Sequence, residues 1–182
     1  MAFSSDLDQI TRAAAGERGA VAALVARYSP GVLGLSQRML ADNAEAEDVT
    51  QETFLRAWKA LPNWEPRANF STWLHRVALN LCYDRLRKRR ETTMAELPEQ
   101  VDRDLRPDER LEQSQRISAI ESAISALPER QAAALNLCAI EGHNQKDAAE
   151  IMEISQEALE SLLARARRTL RKTGLTGARQ GQ

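Results

Sequence analysis

Apolar side chains recur every three or four residues along most of this chain, the period of helices with one buried face. Asp6 to Ala15 predict a short first helix, and Gly16 and Gly19 bracket a turn. Val21, Leu24 and Val25 then mark one face of a second helix, from Glu17 to Tyr28. Ser29-Pro30 predicts a break, with proline at the favourable first position of the next helix. Val32, Leu33, Leu35, Met39 and Leu40 are expected inside. Asp42-x-x-Glu45 has the form of a capping box and opens a further helix, whose buried stripe is Phe54, Ala57, Trp58 and Leu61. Leu61 to Asn69, LPNWEPRAN, carries two prolines and two asparagines and predicts a loop.

The stretch Asn69 to Arg90 carries two faces. Phe70, Leu74, Val77 and Leu81 form an apolar stripe, with Asn69 or Ser71 able to cap the start. Trp73, Arg76, Asn80, Tyr83 and Arg87 recur at helical spacing beside it, an aromatic, amide and guanidinium row able to stack on bases and bind phosphate. The other reading of that row is a solvated basic face with Trp73 in the core. The helix ends in Arg85, Arg87, Lys88, Arg89 and Arg90, a cationic tail suited to a helix C-terminus or a polyanion.

Periodicity is lost over residues 91–112, which hold Pro98, Pro107 and eight carboxylates against three arginines. An extended, flexible acidic linker is expected there. It separates a first domain, 1–90, from a second, 113–174, with a disordered tail at 175–182. In the second domain Pro128 suits a first helical turn, Ala132, Leu135, Cys138 and Ala139 mark a buried face, and Gly142 is a natural residue just past a helix end. Asn144 caps a short helix, Gln145 to Met152, which buries Ala148, Ala149 and Met152. A tight turn at Glu153-Ile154-Ser155 leads to a longer helix capped by Ser155, with Ala158, Leu159, Leu162 or Leu163, Ala166 and Leu170 inward. The pair has the plan of a helix-turn-helix reader, and the second helix ends in Arg165, Arg167, Arg168, Arg171 and Lys172. The fold class is therefore all-α: two small helical domains on a flexible acidic tether.

The formal net charge of −1 alone argues against nucleic acid, but the cations are segregated into 85–90 and 165–172. Cys82 and Cys138 lie within apolar helical patterns without a CxxC partner and read as buried reduced thiols. No metal-ligand spacing and no glycine-rich phosphate loop is present, and neither His75 nor His143 has a nucleophile or carboxylate partner in sequence context. No metal, cofactor or catalysis is expected. No apolar run approaches membrane-spanning length, and MAFSSDLDQ lacks the basic and apolar segments of a signal peptide, so the expected location is the cytoplasm without membrane insertion.

In their order and spacing, AEAEDVTQETFLRAW, FSTWLHRVALN and LPERQ through RARRTLR resemble the extracytoplasmic-function sigma factors, the small two-domain class of the sigma-seventy family. The resemblance implies core RNA polymerase and promoter DNA as partners, and an anti-sigma protein as inhibitor. It implies that Glu47, Asp48, Gln51, Glu52 and Leu55 contact polymerase, with Thr50 departing from a usual aliphatic residue. It implies that Asn63, Trp64, Arg67 and Asn69 shape a pocket for a flipped-out base of the minus-ten element, which Trp73, Arg76, Asn80, Arg87 and Lys88 also reach. Gln156, Glu157, Glu160, Ser161, Arg165 and Arg168 would face the minus-thirty-five element, with Glu160 and Leu162 standing where arginines are frequent. An acid there repels phosphate but can accept from a cytosine amine. The linker would thread the channel that RNA later occupies. His75 replaces a usual tyrosine and is expected as a neutral surface histidine; a proton switch is the other reading. Against the family stand a free-standing helix-turn-helix regulator and a pure protein-interaction module. The first leaves 44–61 and 70–90 without a task.

Overall fold

The computed structural model describes residues 2–64, 69–95, 123–124 and 126–172, and every regular element among them is helical. The first domain is built from α1 (Ala2–Ala14), α2 (Arg18–Leu40), α3 (Asn43–Ala60) and α4 (Phe70–Ala95), with a 3₁₀ turn at Leu61–Asn63. Leu24, Val32, Leu35, Val49, Leu74, Ala78 and Leu79 are fully buried at its centre. The second domain contains α5 (Glu129–Leu135), prolonged by a π turn at Asn136–Ile140, then α6 (Gln145–Ile151) and α7 (Gln156–Lys172).

The expected break at Ser29-Pro30 does not occur. Residues 18–40 form one helix with Pro30 inside it. Proline removes one backbone hydrogen bond, a cost of about 3 kcal/mol in a helix interior. Here Pro30 is exposed, as is Ala26, the residue whose carbonyl the missing N–H would have served. Ala20 and Leu24 before it, and Val32, Leu35, Met39 and Leu40 after it, are buried against the same core. Packing on both sides outweighs the lost bond. Gly19 accordingly lies inside α2, while Gly16 makes the turn at φ +85.

Helix α4 also exceeds its expected end, continuing through Glu91–Ala95. Arg87 lies 4.0 Å from Glu91, and the Thr92 hydroxyl donates to the Lys88 carbonyl at 3.0 Å. The remainder of the expected linker and the expected disordered tail lie outside the described residues. Two expected core positions are exposed, Ala139 in the π turn and Ala158 in the first turn of α7. The π turn shifts the register of side chains by one residue, and Ala158 follows its capping serine too closely to reach the core.

Local stereochemistry explains the helix ends. Gly142 has φ +74, where an L side chain is strained, and lets His143 N–H donate back to the Leu137 carbonyl at 2.9 Å. The Asn144 side chain accepts from Asp147 N–H at 2.8 Å, and the Ser155 hydroxyl from Ala158 N–H at 3.2 Å. Asp42 caps α3 by accepting from Glu45 N–H at 2.9 Å. The Glu45 carboxylate turns instead to Arg89 of α4, 3.0 Å away. Arg89 also donates to the Leu40 carbonyl at 2.9 Å and lies 3.6 Å from Asp42, so one guanidinium joins the α2–α3 corner to α4.

The two domains are docked. Helix α4 packs against α6, and α2 meets α5 and its π turn, so that buried side chains of both domains form one continuous core. Replacing Asp42 by alanine removes the cap and one Arg89 contact; urea unfolding should report a loss of about 1 kcal/mol with an unchanged denaturant slope.

Candidate nucleic-acid interface

Helix α3 buries Ala46, Val49, Thr53, Phe54 and Ala57 and turns its other side outward. Glu47, Gln51 and Leu55 follow one another at four-residue steps and are exposed, with Asp48 beside them. Leu55 is 53% exposed, a large apolar side chain in an acidic setting. Asp48 lies 3.6 Å from Arg85, and Glu52 accepts from Arg56 at 2.8 Å. Acid around an exposed leucine suits a basic protein surface with an apolar notch. Nucleic acid would be repelled by it.

The aromatic residues at the start of α4 behave differently from the expected open row. Trp64, half-buried, meets Phe70 edge-on at 5.3 Å and Trp73 at 5.6 Å, while Phe70 and Trp73 lie nearly parallel with centroids 6.5 Å apart. Tyr28 closes the group, edge-on to Phe70 at 5.5 Å. This cluster makes an aromatic wall at the start of α4. Asn63 is exposed and Asn69 half-buried; Arg67 lies outside the described residues. Farther along α4, Asn80, Arg87 and Lys88 are exposed, and Arg87 holds Asp84 at 2.9 Å. Lys88 lines a groove of about 520 Å³ with Glu45, Arg85, Arg89, Thr92 and Thr93. Tyr83 is half-buried, and burial pushes its phenol up to about 12.

Arg76, the central member of the row, is covered. Its guanidinium donates to the Glu150 carbonyl at 3.0 Å and to the Glu150 carboxylate at 3.2 Å, with Glu153 at 4.0 Å. Two acids from the second domain thus stand against this guanidinium. Arg38 of α2 makes a second link, donating to the buried Asn136 carboxamide at 2.8 Å and pairing with Glu141. Arg90 lies 3.5 Å from Glu129. None of these partners has a local sequence signal, because each pair joins residues from different domains.

His75 corrects the expectation of a surface histidine. It is only 4% exposed, and its ring meets that of His143 at 4.6 Å. Desolvation lowers the pKa of both, that of His143 to about 4. Burial likewise pushes the Cys82 thiol up to about 12; Cys82 is buried as expected, while Cys138 is half-buried, and both are free.

Helix α7 turns Gln156, Glu157, Glu160, Ser161, Arg165 and Arg168 outward, opposite buried Leu159, Leu163 and Ala166. Hydrogen bonds to its own backbone N–H and to Ser155 hold the Glu157 carboxyl below the usual range. Amide, hydroxyl and carboxylate groups lie at the N-terminal end and guanidinium groups toward the C-terminal end. That is the layout of a groove reader flanked by phosphate contacts.

A two-domain helical protein with a cation-bearing helix in one domain and an exposed helix-turn-helix in the other defines a DNA-binding class. The sigma-70 region 2 model matches residues 24–92, and the sigma-70 region 4 model matches residues 117–170. RNA polymerase sigma-H factor of Pseudomonas aeruginosa is 32% identical over 92% of this chain and 92% of its own. The ECF RNA polymerase sigma factor SigE of Mycolicibacterium smegmatis is 33% identical over 81% of this chain, which spans 59% of that relative. Among solved structures, CnrH in complex with the cytosolic domain of CnrY superposes with a TM-score of 0.72 at 26% identity, over 95% of this chain and 99% of that one. RpoE of Bartonella quintana, solved with the anti-sigma factor NepR, shares the fold at a TM-score of 0.69 and 22% identity, over 85% and 96% of the two chains. The chain therefore belongs to the sigma-70 family and, within it, to the extracytoplasmic-function group of RNA polymerase sigma factors.

Freeing Arg76 should strengthen anion binding. Glu150→Ala is expected to raise affinity for a single-stranded oligonucleotide two- to fivefold at low salt, since a half-exposed ion pair is worth about 0.5–1 kcal/mol. Fluorescence anisotropy against the parent chain measures it.

Proposed function

We propose that this sigma factor recruits core RNA polymerase through the exposed face of α3 and opens promoters with α4. The exposed line of Glu47, Gln51 and Leu55, with Asp48 and Glu52 alongside, is the observation that carries the reading. A helix that buries one side and offers acid plus leucine on the other has the surface of a docking helix. Asn63, Trp64, Asn69, Trp73, Arg76, Asn80, Arg87 and Lys88 then serve the minus-ten element, and Arg67 joins them from outside the described residues. Unstacking a base costs a few kcal/mol and is offset by stacking and edge hydrogen bonds in a pocket that already exists. The Trp64–Phe70–Trp73 cluster supports such a pocket because it is packed before DNA arrives.

Gln156, Glu157, Glu160, Ser161, Arg165 and Arg168 read the minus-thirty-five element from the major groove, with Glu160 favouring a cytosine amine. The segment between the domains passes through the RNA channel with its carboxylates in place of an RNA backbone. The role is that of a non-enzymatic initiation factor in the cytoplasm, and no described helix is long and apolar enough to cross a membrane. In the closed arrangement Arg76 is occupied, so both domains must separate before DNA can be read. An anti-sigma protein that holds the two domains together keeps the factor off polymerase; CnrH is bound by the cytosolic domain of CnrY.

Run-off transcription with purified core polymerase, at promoters located by transcript mapping after overexpression, tests the proposal. Failure to bind core in a pull-down would favour a free-standing regulator. Two exposed substitutions separate the steps. Asn80→Ala should reduce permanganate reactivity at the opened promoter about tenfold while retaining core binding, and Leu55→Asp should lose core binding; equal loss of both properties in Asn80→Ala would count against its assignment.

A further inference from the structure

The protein has two histidines, and they touch each other across the domain boundary. His75 comes from the second turn of α4, and His143 from the turn before α6, with the rings edge-on. A carbonyl can only accept, so the 2.8 Å approach of His75 Nδ1 to the Ser71 carbonyl places the ring proton on Nδ1. The other nitrogen, Nε2, is then a bare lone pair, buried and without a hydrogen-bond partner. A Cβ on Gly31 would lie 3.3 Å from this nitrogen and 3.2 Å from a Glu141 carboxylate oxygen, so only the missing side chain on α2 leaves room for both.

We propose that His75 and His143 form a proton-sensitive latch, which holds the second domain over α4 while both rings are neutral and releases it when either is protonated. A proton on Nε2 creates a cation inside a buried contact where that nitrogen has no hydrogen-bond partner. Charged groups face the pair from several elements. Glu141, beside the π turn, favours protonation of His75, but its carboxylate is already paired with Arg38 of α2, which opposes it. Asp147 of α6 favours protonation of His143, and His75 opposes it. Next along α4, Arg76 is engaged by Glu150 and Glu153. Desolvation is the largest influence on both rings and favours the neutral form.

A histidine whose pKa is lower in the closed form than in the open one binds fewer protons when closed. Closure is therefore unpenalised above the ordinary histidine value of about 6.5 and weakens as pH falls below it. For His143 the weakening continues down to about 4. Release would expose Arg76, so acidification would free a DNA-reading side chain without any partner protein. The latch concerns the two domains alone and stands or falls independently of polymerase binding.

The test uses the full chain with Cys138→Ala and dyes on cysteines introduced by Lys59→Cys and Lys172→Cys, Cys82 being buried. Energy transfer is read from pH 7.5 to 5.5 in salt high enough to screen the ion pairs at the domain boundary, with circular dichroism as a check on helicity. The closed-to-open ratio should fall at least about tenfold over that range, the linkage expected of one histidine. His143→Gln should lose about tenfold of the response, and His75→Gln/His143→Gln all of it. Gly31→Leu should open the chain already at pH 7.5. A constant ratio in the parent, a full response in the double variant, or a change that tracks loss of helicity would overturn the proposal.

Discussion

Helix α4 has to serve two partners with one surface. Phe70, Leu74, Ala78, Leu79, Leu81 and Cys82 bury it in the first domain, and its flank carrying His75, Arg76 and Tyr83 is taken up by the second. The Arg76 guanidinium is held by the Glu150 carbonyl and carboxylate, so another anion has to compete with them for it. Under the DNA-reading role proposed for Arg76, docking of the second domain and DNA therefore compete for that side chain. Such competition requires that the second domain fit α4 and that the fit be weak enough to give way.

The interactions across the boundary match this requirement. Arg76–Glu150 and Arg90–Glu129 are substantially exposed and contribute little each. Arg38 is more enclosed, with Asn136 and Glu141 as partners, and leaving either acceptor unpaired would cost more than the bond itself contributes. Asn136 points at Arg38 because the π turn re-aims the end of α5, a distortion that recurs at functional sites. Polar links that water can replace are the kind found in an interface that opens and closes.

Much of this was legible in the sequence, and the missing parts share a cause. Helical period, the Asp42, Asn144 and Ser155 caps and the glycine at 142 are local signals, and all of them appear in the structure. The outward faces of α3 and α7 also follow from period alone. Pro30 misled because a break signal is weaker than buried residues on both sides of it. The His75–His143 contact, the covering of Arg76 and the grip of Arg38 on Asn136 join residues of different domains. Nothing in the spacing of either segment encodes its distant partner, so each side chain looked solvated when considered alone.

Arg89 has a mechanical consequence. By tying the Leu40 carbonyl, Asp42 and Glu45 to the far end of α4, it makes the two long helices of the first domain turn as one lever. Whatever grips α3 therefore fixes the pitch and azimuth of Asn80 as well. On the proposed reading, a strand of DNA at the aromatic wall would then stand at a set distance from whatever holds α3, as if by a ruler with its zero mark at residue 42.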